Sequence, residues 1–180
     1  MTQSSARADV TAEAFDGVAA TYDGPQGNND LIQRMRDITW ARMDRIFPAG
    51  SRLIDLGCGT GEVGVRLSAL GFTDVDGVDL SPEMLAVADR KRCYSSTAVA
   101  DLDAPSTLPV RRYRSSVSAG TFTTGHVGPG AVESLVGLHE AGGMLAWVIA
   151  EPVWPAFESA LGRCGVITVS ALLEPIRAGG

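Results

Sequence analysis

An α/β fold, doubly wound around a mainly parallel sheet, is what this sequence predicts, and three observations carry the prediction. Short β-prone runs alternate with segments of helical period along most of the chain. The first clear run, Leu53–Leu56, leads directly into a glycine-rich turn, Gly57-Cys58-Gly59-Thr60-Gly61. The second ends on an acid, Asp79, and is followed by Ser81-Pro82, residues that suit the start of a helix.

The 180 residues fit one domain rather than two. Hydrophobic residues make up 45% and charged residues 20%, ordinary values for a chain that buries its own core without a metal or disulfide staple. Residues 1–12, rich in Ser, Thr and Ala, read as a flexible N-terminus. The remainder, 13–180, reads as a single domain, with 13–47 as a helical cap. Within that cap, Ala14–Ala20 suits a short helix and Asp23–Asn29 a loop. Asp30 caps a second helix that reaches Phe47 with Leu31, Met35, Ile38, Trp40 and Met43 near the helical period. Pro48 and Gly50 stop it.

Ser51–Leu56 is then the first strand and Glu62–Leu70 a helix, with Gly71 as its C′ residue. Val75–Leu80 is the second strand. Ser81 caps a helix that runs to Lys91, and Thr97–Ala100 is a short third strand. A fourth strand covers Tyr113–Ala119. A helix over Gly130–Glu140, containing His139, ends at Ala141-Gly142-Gly143. Met144–Ala150 is the most apolar strand, Pro155–Arg163 a helix and Val166–Leu173 the last strand.

Charge and cysteine usage narrow the function classes. Fifteen basic against twenty-one acidic residues give a net charge of −6, which argues against a nucleic-acid duplex or an anionic membrane surface as the partner. Cys58, Cys93 and Cys164 are odd in number and lie far apart, so neither a disulfide framework nor a metal site is predicted. No run reaches the ~18 apolar residues of a membrane span, and residues 1–10 lack the apolar stretch of a secretion signal. A cytoplasmic location is expected.

The glycine turn admits two ligands. Gly59, Gly61 and Gly64 satisfy G-x-G-x-x-G, and Asp79 stands about 20 residues on, as a ribose-binding acid does in nicotinamide dinucleotide sites. Asp55, just before the turn, argues against that reading. A pyrophosphate ~4 Å from it, at an effective dielectric near 20, would meet a repulsion of about 4 kcal/mol. A ligand carrying positive charge and no phosphate suits the position better.

The pattern Asp55-x-Gly57-x-Gly59-x-Gly61 followed by Asp79 resembles the class I S-adenosylmethionine-dependent methyltransferases, a Rossmann-like family, and the resemblance covers most of the chain. It implies that Asp55, Gly57, Cys58, Gly59 and Gly61 cradle the methionine part of the cofactor and that Asp79 bonds both ribose hydroxyls. Leu80 and Met84 would pack on the adenine, with Asp101-Leu102 facing it. Ala119-Gly120, at the end of the fourth strand, would complete the cofactor site, and Tyr22, in Tyr22-Asp23, would close over it. Val117–Val127 and the Tyr22-Asp23 segment are most similar to the Williams–Beuren-region methyltransferase-like group.

Other residues carry competing roles. His126, in a glycine-flanked loop after the fourth strand, is the candidate catalytic base, against a surface loop histidine. Cys58 reads as a packed thiol rather than a nucleophile, and His139 as structural. Arg111, Arg112 and Arg114 read as a solvated strand entry. Trp147 is expected to pack, and Trp154 either to pack or to line an acceptor pocket.

Two departures from the family stand out. The fourth strand, Tyr113-Arg-Ser-Ser-Val-Ser-Ala119, is polar for a central parallel strand. The chain also ends at Gly180, soon after the sixth strand, so the family's seventh strand is expected to be missing. Either the sixth strand then pairs directly with the fifth, or an edge stays open, through which a homodimer could form. The expected activity is methyl transfer from S-adenosylmethionine to a small-molecule acceptor. The alternatives are a degenerate fold that binds the cofactor without transfer, and a nicotinamide-dependent dehydrogenase.

Overall fold

A computed structural model describes residues 3–24 and 47–166, with side chains from Ala8 onward. The elements in chain order are α1 (Gln3–Asp16), β1 (Leu53–Leu56), α2 (Glu62–Ala69), β2 (Val75–Asp79), α3 (Pro82–Lys91), β3 (Ser96–Val99), β4 (Tyr113–Phe122), α4 (Val132–Val136), β5 (His139–Ile149) and α5 (Trp154–Arg163). The helix expected from Asp30, its stripe of Met35, Trp40 and Met43, the strand expected to reach Leu173 and the question of a seventh strand lie outside the described residues.

The five strands form one parallel sheet in the order β3-β2-β1-β4-β5. Direction of winding reverses at β1, with β2 on one side and β4 on the other, and ligand crevices open at that switch, beyond the strands' carboxyl ends. Burial on both faces makes β1 apolar at almost every position. Leu53 packs with Val63 and Leu67 of α2, Phe72, Val75 and Val117. Ile54 and Leu56 pack on the opposite side with Val132 and Leu135 of α4 and Phe157 and Leu161 of α5.

The polar fourth strand is stable because its serines are small and mostly bonded. Ser116, Ser118 and Ser115 are fully buried. Ser116 Oγ accepts from Trp147 Nε1 at 2.8 Å, and Ser118 Oγ donates to the Leu56 carbonyl at 2.7 Å. Trp147 also packs on Phe122, with ring centroids 4.8 Å apart. Trp154 packs against the core instead of lining a pocket.

Three expectations need correction. Residues 3–16 form a helix where a loose lead-in was expected, and that helix ends at Asp16 rather than spanning Ala14–Ala20. Its C-terminal residue explains why. Asp16 Oδ1 accepts from Ser81 Oγ and from the Glu83 amide, so the end of α1 is fastened to the first turn of α3. The helix expected over Gly130–Glu140 covers only Val132–Val136, after a single 3-10 turn over Pro129–Ala131. His139 therefore opens β5, opposite Tyr113, instead of ending a helix. The register jumps from Tyr113↔His139 to Ser115↔Met144, so Ala141-Gly142-Gly143 form a bulge inside the strand.

Ser81 is the most heavily used cap. Its Oγ accepts from the Met84 amide at 3.0 Å while donating to Asp16, and the residue is fully buried. Ser81→Ala removes both bonds and is expected to cost about 1–2 kcal/mol. Thermal unfolding should show a Tm lower by several degrees. A Tm within one degree of wild type would mean that the cap and the α1 tether carry no stability.

Candidate functional site

The glycine turn is shaped by its amides. Gly57 and Cys58 donate to the Val78 carbonyl at 2.9 Å, Gly61 donates to the Cys58 carbonyl, and Gly59 donates to Asp79 Oδ2 at 2.8 Å. Gly57, Gly59 and Gly61 all have positive φ, +74°, +52° and +89°. Gly57 is further confined because a Cβ there would stand 2.1 Å from Thr121 Oγ1. Asp79 ends β2, where its Oδ1 also accepts from the Ser81 amide at 2.9 Å. Burial raises its pKa, and the amides of Ser81, Gly59 and Leu80 hold the rise in check.

A cavity of about 440 Å³ opens beyond the carboxyl ends of the strands. Its floor is the turn, Gly57–Thr60, with Glu62 and Val63 of α2. Asp79 ends β2 and Leu80 and Met84 follow it, residues 100–103 follow β3, residues 119–123 lie at the end of β4 and just beyond it, and Val148 and Ala150 flank the end of β5. Ala8, Thr11 and Phe15 of α1 cover it with Tyr22, and His126 and Val127 close the side beyond β4. The size suits a small-molecule ligand. Among its described lining residues are four carboxylates, Glu62, Asp79, Asp101 and Asp103, and no Lys or Arg.

Of the predicted site residues, Tyr22, Gly57, Cys58, Gly59, Asp79, Leu80, Met84, Asp101, Leu102, Ala119, Gly120 and His126 come together around this cavity. Asp55 and Gly61 do not line it. Asp55 lies beneath the turn, fully buried, with its Oδ2 accepting from Tyr94 Oη at 2.7 Å. The charge expected to meet a ligand directly is therefore sequestered. Gly61 serves as the N-cap of α2. Gly64, the last glycine of the dinucleotide-like pattern, makes room for Tyr94: a Cβ on it would lie 2.4 Å from the ring.

Cys58 is a packed thiol. Burial first, and then Asp55 and Asp79, push its pKa well above the ordinary value, which disfavours the thiolate a nucleophile needs. His139 is structural and remote, at the amino end of β5. Its Nδ1 lies 3.0 Å from the Leu135 carbonyl, and burial lowers its pKa. The three arginines are engaged within the chain. Arg111 bonds Asp76 and Asp74, Arg112 bonds the Gly137 carbonyl, and Arg114 bonds that of Ala141.

Two elements of the site had no sequence signal. One is Tyr94. The other is a tether on the N-terminal segment: Asp23 accepts from Thr60 Oγ1 at 2.6 Å and from Lys91 Nζ at 2.7 Å, and Lys91 also reaches Glu62 Oε1 at 2.6 Å. Burial pulls the Lys91 pKa down, but the two carboxylates outweigh it and the net shift is upward. Phe15 spans the cavity, with its ring centroid 5.6 Å from that of His126 and 6.4 Å from that of Tyr22.

Comparison with known proteins agrees with this geometry. Residues 53–136 match a family described as "Methyltransferase domain". YqeM of Bacillus subtilis (strain 168), named a methyltransferase with no acceptor stated, is 37% identical over 78 residues, 43% of this chain and 29% of that protein. A ubiquinone biosynthesis O-methyltransferase of Xanthomonas oryzae pv. oryzae (strain PXO99A) is also 37% identical over 78 residues, 43% of this chain and 31% of its own. The matched stretch thus spans about a third of the length of these relatives. Among solved structures, a chain titled "DhpI-SAH complex structure" superposes with a TM-score of 0.56 at 23% identity, over 77% of this chain and 66% of that one. That likeness shows the fold. Among the described residues, no helix is long and apolar enough to cross a membrane.

Proposed function

We propose that this chain, which has a Rossmann-like methyltransferase fold and matches a methyltransferase-domain family over residues 53–136, binds S-adenosylmethionine and transfers its methyl group to a small-molecule nucleophile. The observation that carries the reading is the lining of the cavity: Asp79, Asp101 and Asp103 gather around it beside the glycine turn, and its described lining holds no Lys or Arg. Such a wall attracts the sulfonium and ammonium of S-adenosylmethionine. An acid at the place of Asp79 also suits a nicotinamide dinucleotide, so the argument first made from Asp55 passes to Asp101 and Asp103, which disfavour a pyrophosphate.

Asp79, its carboxylate already fixed by two amides, is placed to receive ribose hydroxyls. Leu80, Met84 and Leu102 offer the apolar surface for adenine, Asp101 a polar acceptor beside it, and the turn Gly57–Thr60 the close backbone approach for the methionine part. The cofactor supplies an electrophilic methyl group: an acceptor lone pair bonds to the carbon while sulfur keeps the electron pair of the broken bond. The protein aligns the acceptor and excludes water, with α1 and Tyr22 as the cover. His126 lines the same cavity and takes the proton of an acceptor hydroxyl or ammonium.

The relatives' names support a small organic acceptor, as in quinone biosynthesis. Likeness to the Williams–Beuren-region group rests on Val117–Val127, which forms the β4 side of the cavity, and on Tyr22-Asp23 at its cover.

Calorimetry with S-adenosylmethionine, S-adenosylhomocysteine and NAD, followed by an acceptor screen, tests the reading. Binding of the first two and turnover of an acceptor are expected. Binding without turnover across broad acceptor classes would favour a non-transferring binder, and binding of NAD alone would favour a dehydrogenase. For His126→Ala, unchanged cofactor affinity with turnover reduced about 10²-fold or more is expected, the scale of general base catalysis. Undiminished turnover would leave His126 as a wall residue.

A further inference from the structure

The glycine turn is held from behind by Tyr94. Its ring lies against three glycines. A Cβ on Gly64 would stand 2.4 Å from Cζ, one on Gly77 3.2 Å from the ring and one on Gly61 3.3 Å from it. Its hydroxyl accepts from the Gly64 amide at 3.1 Å and donates to Asp55 Oδ2 at 2.7 Å. Both partners need such a bond. Gly64 is the third residue of α2, so its amide is among the four at a helix start with no intrahelical acceptor, and the N-cap, Gly61, has no side chain to supply one. Asp55 is 0% exposed, and a buried carboxylate is costly without donors. One hydroxyl thus serves the strand that enters the turn and the helix that leaves it.

We propose that Tyr94 is a positioning residue for the cofactor site, its hydroxyl clamping β1 to α2 so that the intervening turn, Gly57–Gly61, is preorganised for its ligand. The inference rests on the reading of that turn as the S-adenosylmethionine cradle. Tyr94 touches no ligand; it acts through Asp55 and Gly64. Burial, and then Asp55, raise the phenol's pKa well above its usual value, so the donor proton stays in place across the working range of pH. The titratable groups around this bond are Cys58 and Cys93, both pushed up by burial and neutral between pH 5 and pH 8. Asp79 acts on Cys58, and Lys91 and Glu62 act on Cys93.

Tyr94→Phe keeps the ring and its contacts with the glycines and removes only the hydroxyl. Titration of purified protein with S-adenosylhomocysteine should show affinity lowered about tenfold, the scale of one hydrogen bond to a charged group. Its Tm deficit against wild type should widen as pH rises from acid to neutral. A hydrogen bond to a charged carboxylate is stronger than one to a neutral acid, so the hydroxyl is worth more to the fold where Asp55 is charged. In the Asp55→Asn background the widening should vanish, because no charge remains to need the donor. A ring that merely filled space would give a pH-independent deficit.

Wild-type affinity in Tyr94→Phe, or a deficit constant with pH, overturns the proposal. If Tyr94→Phe does not fold, amide exchange in the wild-type protein decides: Gly64 N–H should be protected despite its place in the first helical turn, and fast exchange there overturns the clamp. Failure of the wild type itself to bind S-adenosylhomocysteine would remove the cofactor reading, while the pH-dependent deficit and the Gly64 protection would still report the clamp.

Discussion

Gly57→Ala is expected to abolish measurable cofactor binding and to cost about 3 kcal/mol or more of stability. Two penalties add. With φ at +74°, any side chain meets the left-handed strain of roughly 1–2 kcal/mol. The new Cβ would also stand 2.1 Å from Thr121 Oγ1, 2.8 Å from its Cγ2 and 3.0 Å from its Cβ. Overpacking of this kind adds about 1–3 kcal/mol. Gly59→Ala is the internal control: its φ is also positive, at +52°, but a Cβ there meets nothing within 4 Å. It should show the strain alone. Thr121→Ala in the Gly57→Ala background should recover part of the loss by removing the two closest atoms. Urea unfolding of the three variants measures this, and equal costs at Gly57 and Gly59 would refute the steric account.

Asp79 is the second large effect, and here affinity and stability separate. Asp79→Ala strips a hydroxyl-binding carboxylate from the cavity and leaves the amides of Gly59 and Ser81 without their acceptor. Cofactor binding should weaken by roughly 1.5–3 kcal/mol, about 10- to 100-fold in Kd, with a parallel loss of stability. Asp79→Asn keeps one acceptor oxygen and no charge, so it should lose affinity with less effect on folding. The pH dependence follows from burial, which raises this carboxyl's pKa. Between its unfolded and its raised folded value the folded protein holds the extra proton. Stability therefore falls as pH rises through that window, while affinity for a ribose, which needs the carboxylate, rises through it. Calorimetric titrations across acidic pH check this. An affinity that is flat with pH, or unchanged in Asp79→Ala, would take Asp79 out of the ligand site.

The stretch from Leu53 to Lys91 was legible because its signals are local. Glycines mark the turn, Ser81-Pro82 marks a helix start, and both act within a few residues. What the sequence concealed depends on partners far along the chain. The serines of β4 look wrong for a buried strand until Trp147, 31 residues on, and the Leu56 carbonyl, 62 residues back, are seen to bond them. α1 has no marked apolar face, and its end is fastened to Ser81, 65 residues away. His139 sits in a helix-compatible run, yet pairing with Tyr113 draws it into the sheet. Asp55 stands where the resemblance places an acid, but a tyrosine 39 residues later holds it inward. Spacing placed the acid on the strand and was silent about what it faces.

The two tethers of the N-terminal segment bear on exchange rates rather than equilibrium. Asp16 is fastened to Ser81, beside the acid proposed for the ribose, and Asp23 to Thr60, within the turn proposed for the methionine part. The cover is therefore pinned at both ends of the ligand's proposed path. Opening the cover breaks at least one pin, so the residence time of the proposed ligand is expected to depend on them. One pin joins the buried hydroxyl of Ser81 to the partly exposed carboxylate of Asp16. The other adds a partly exposed ion pair, Lys91 with Asp23, that salt weakens. Opening of the cover is thus expected to respond to ionic strength more on the Asp23 side than on the Asp16 side.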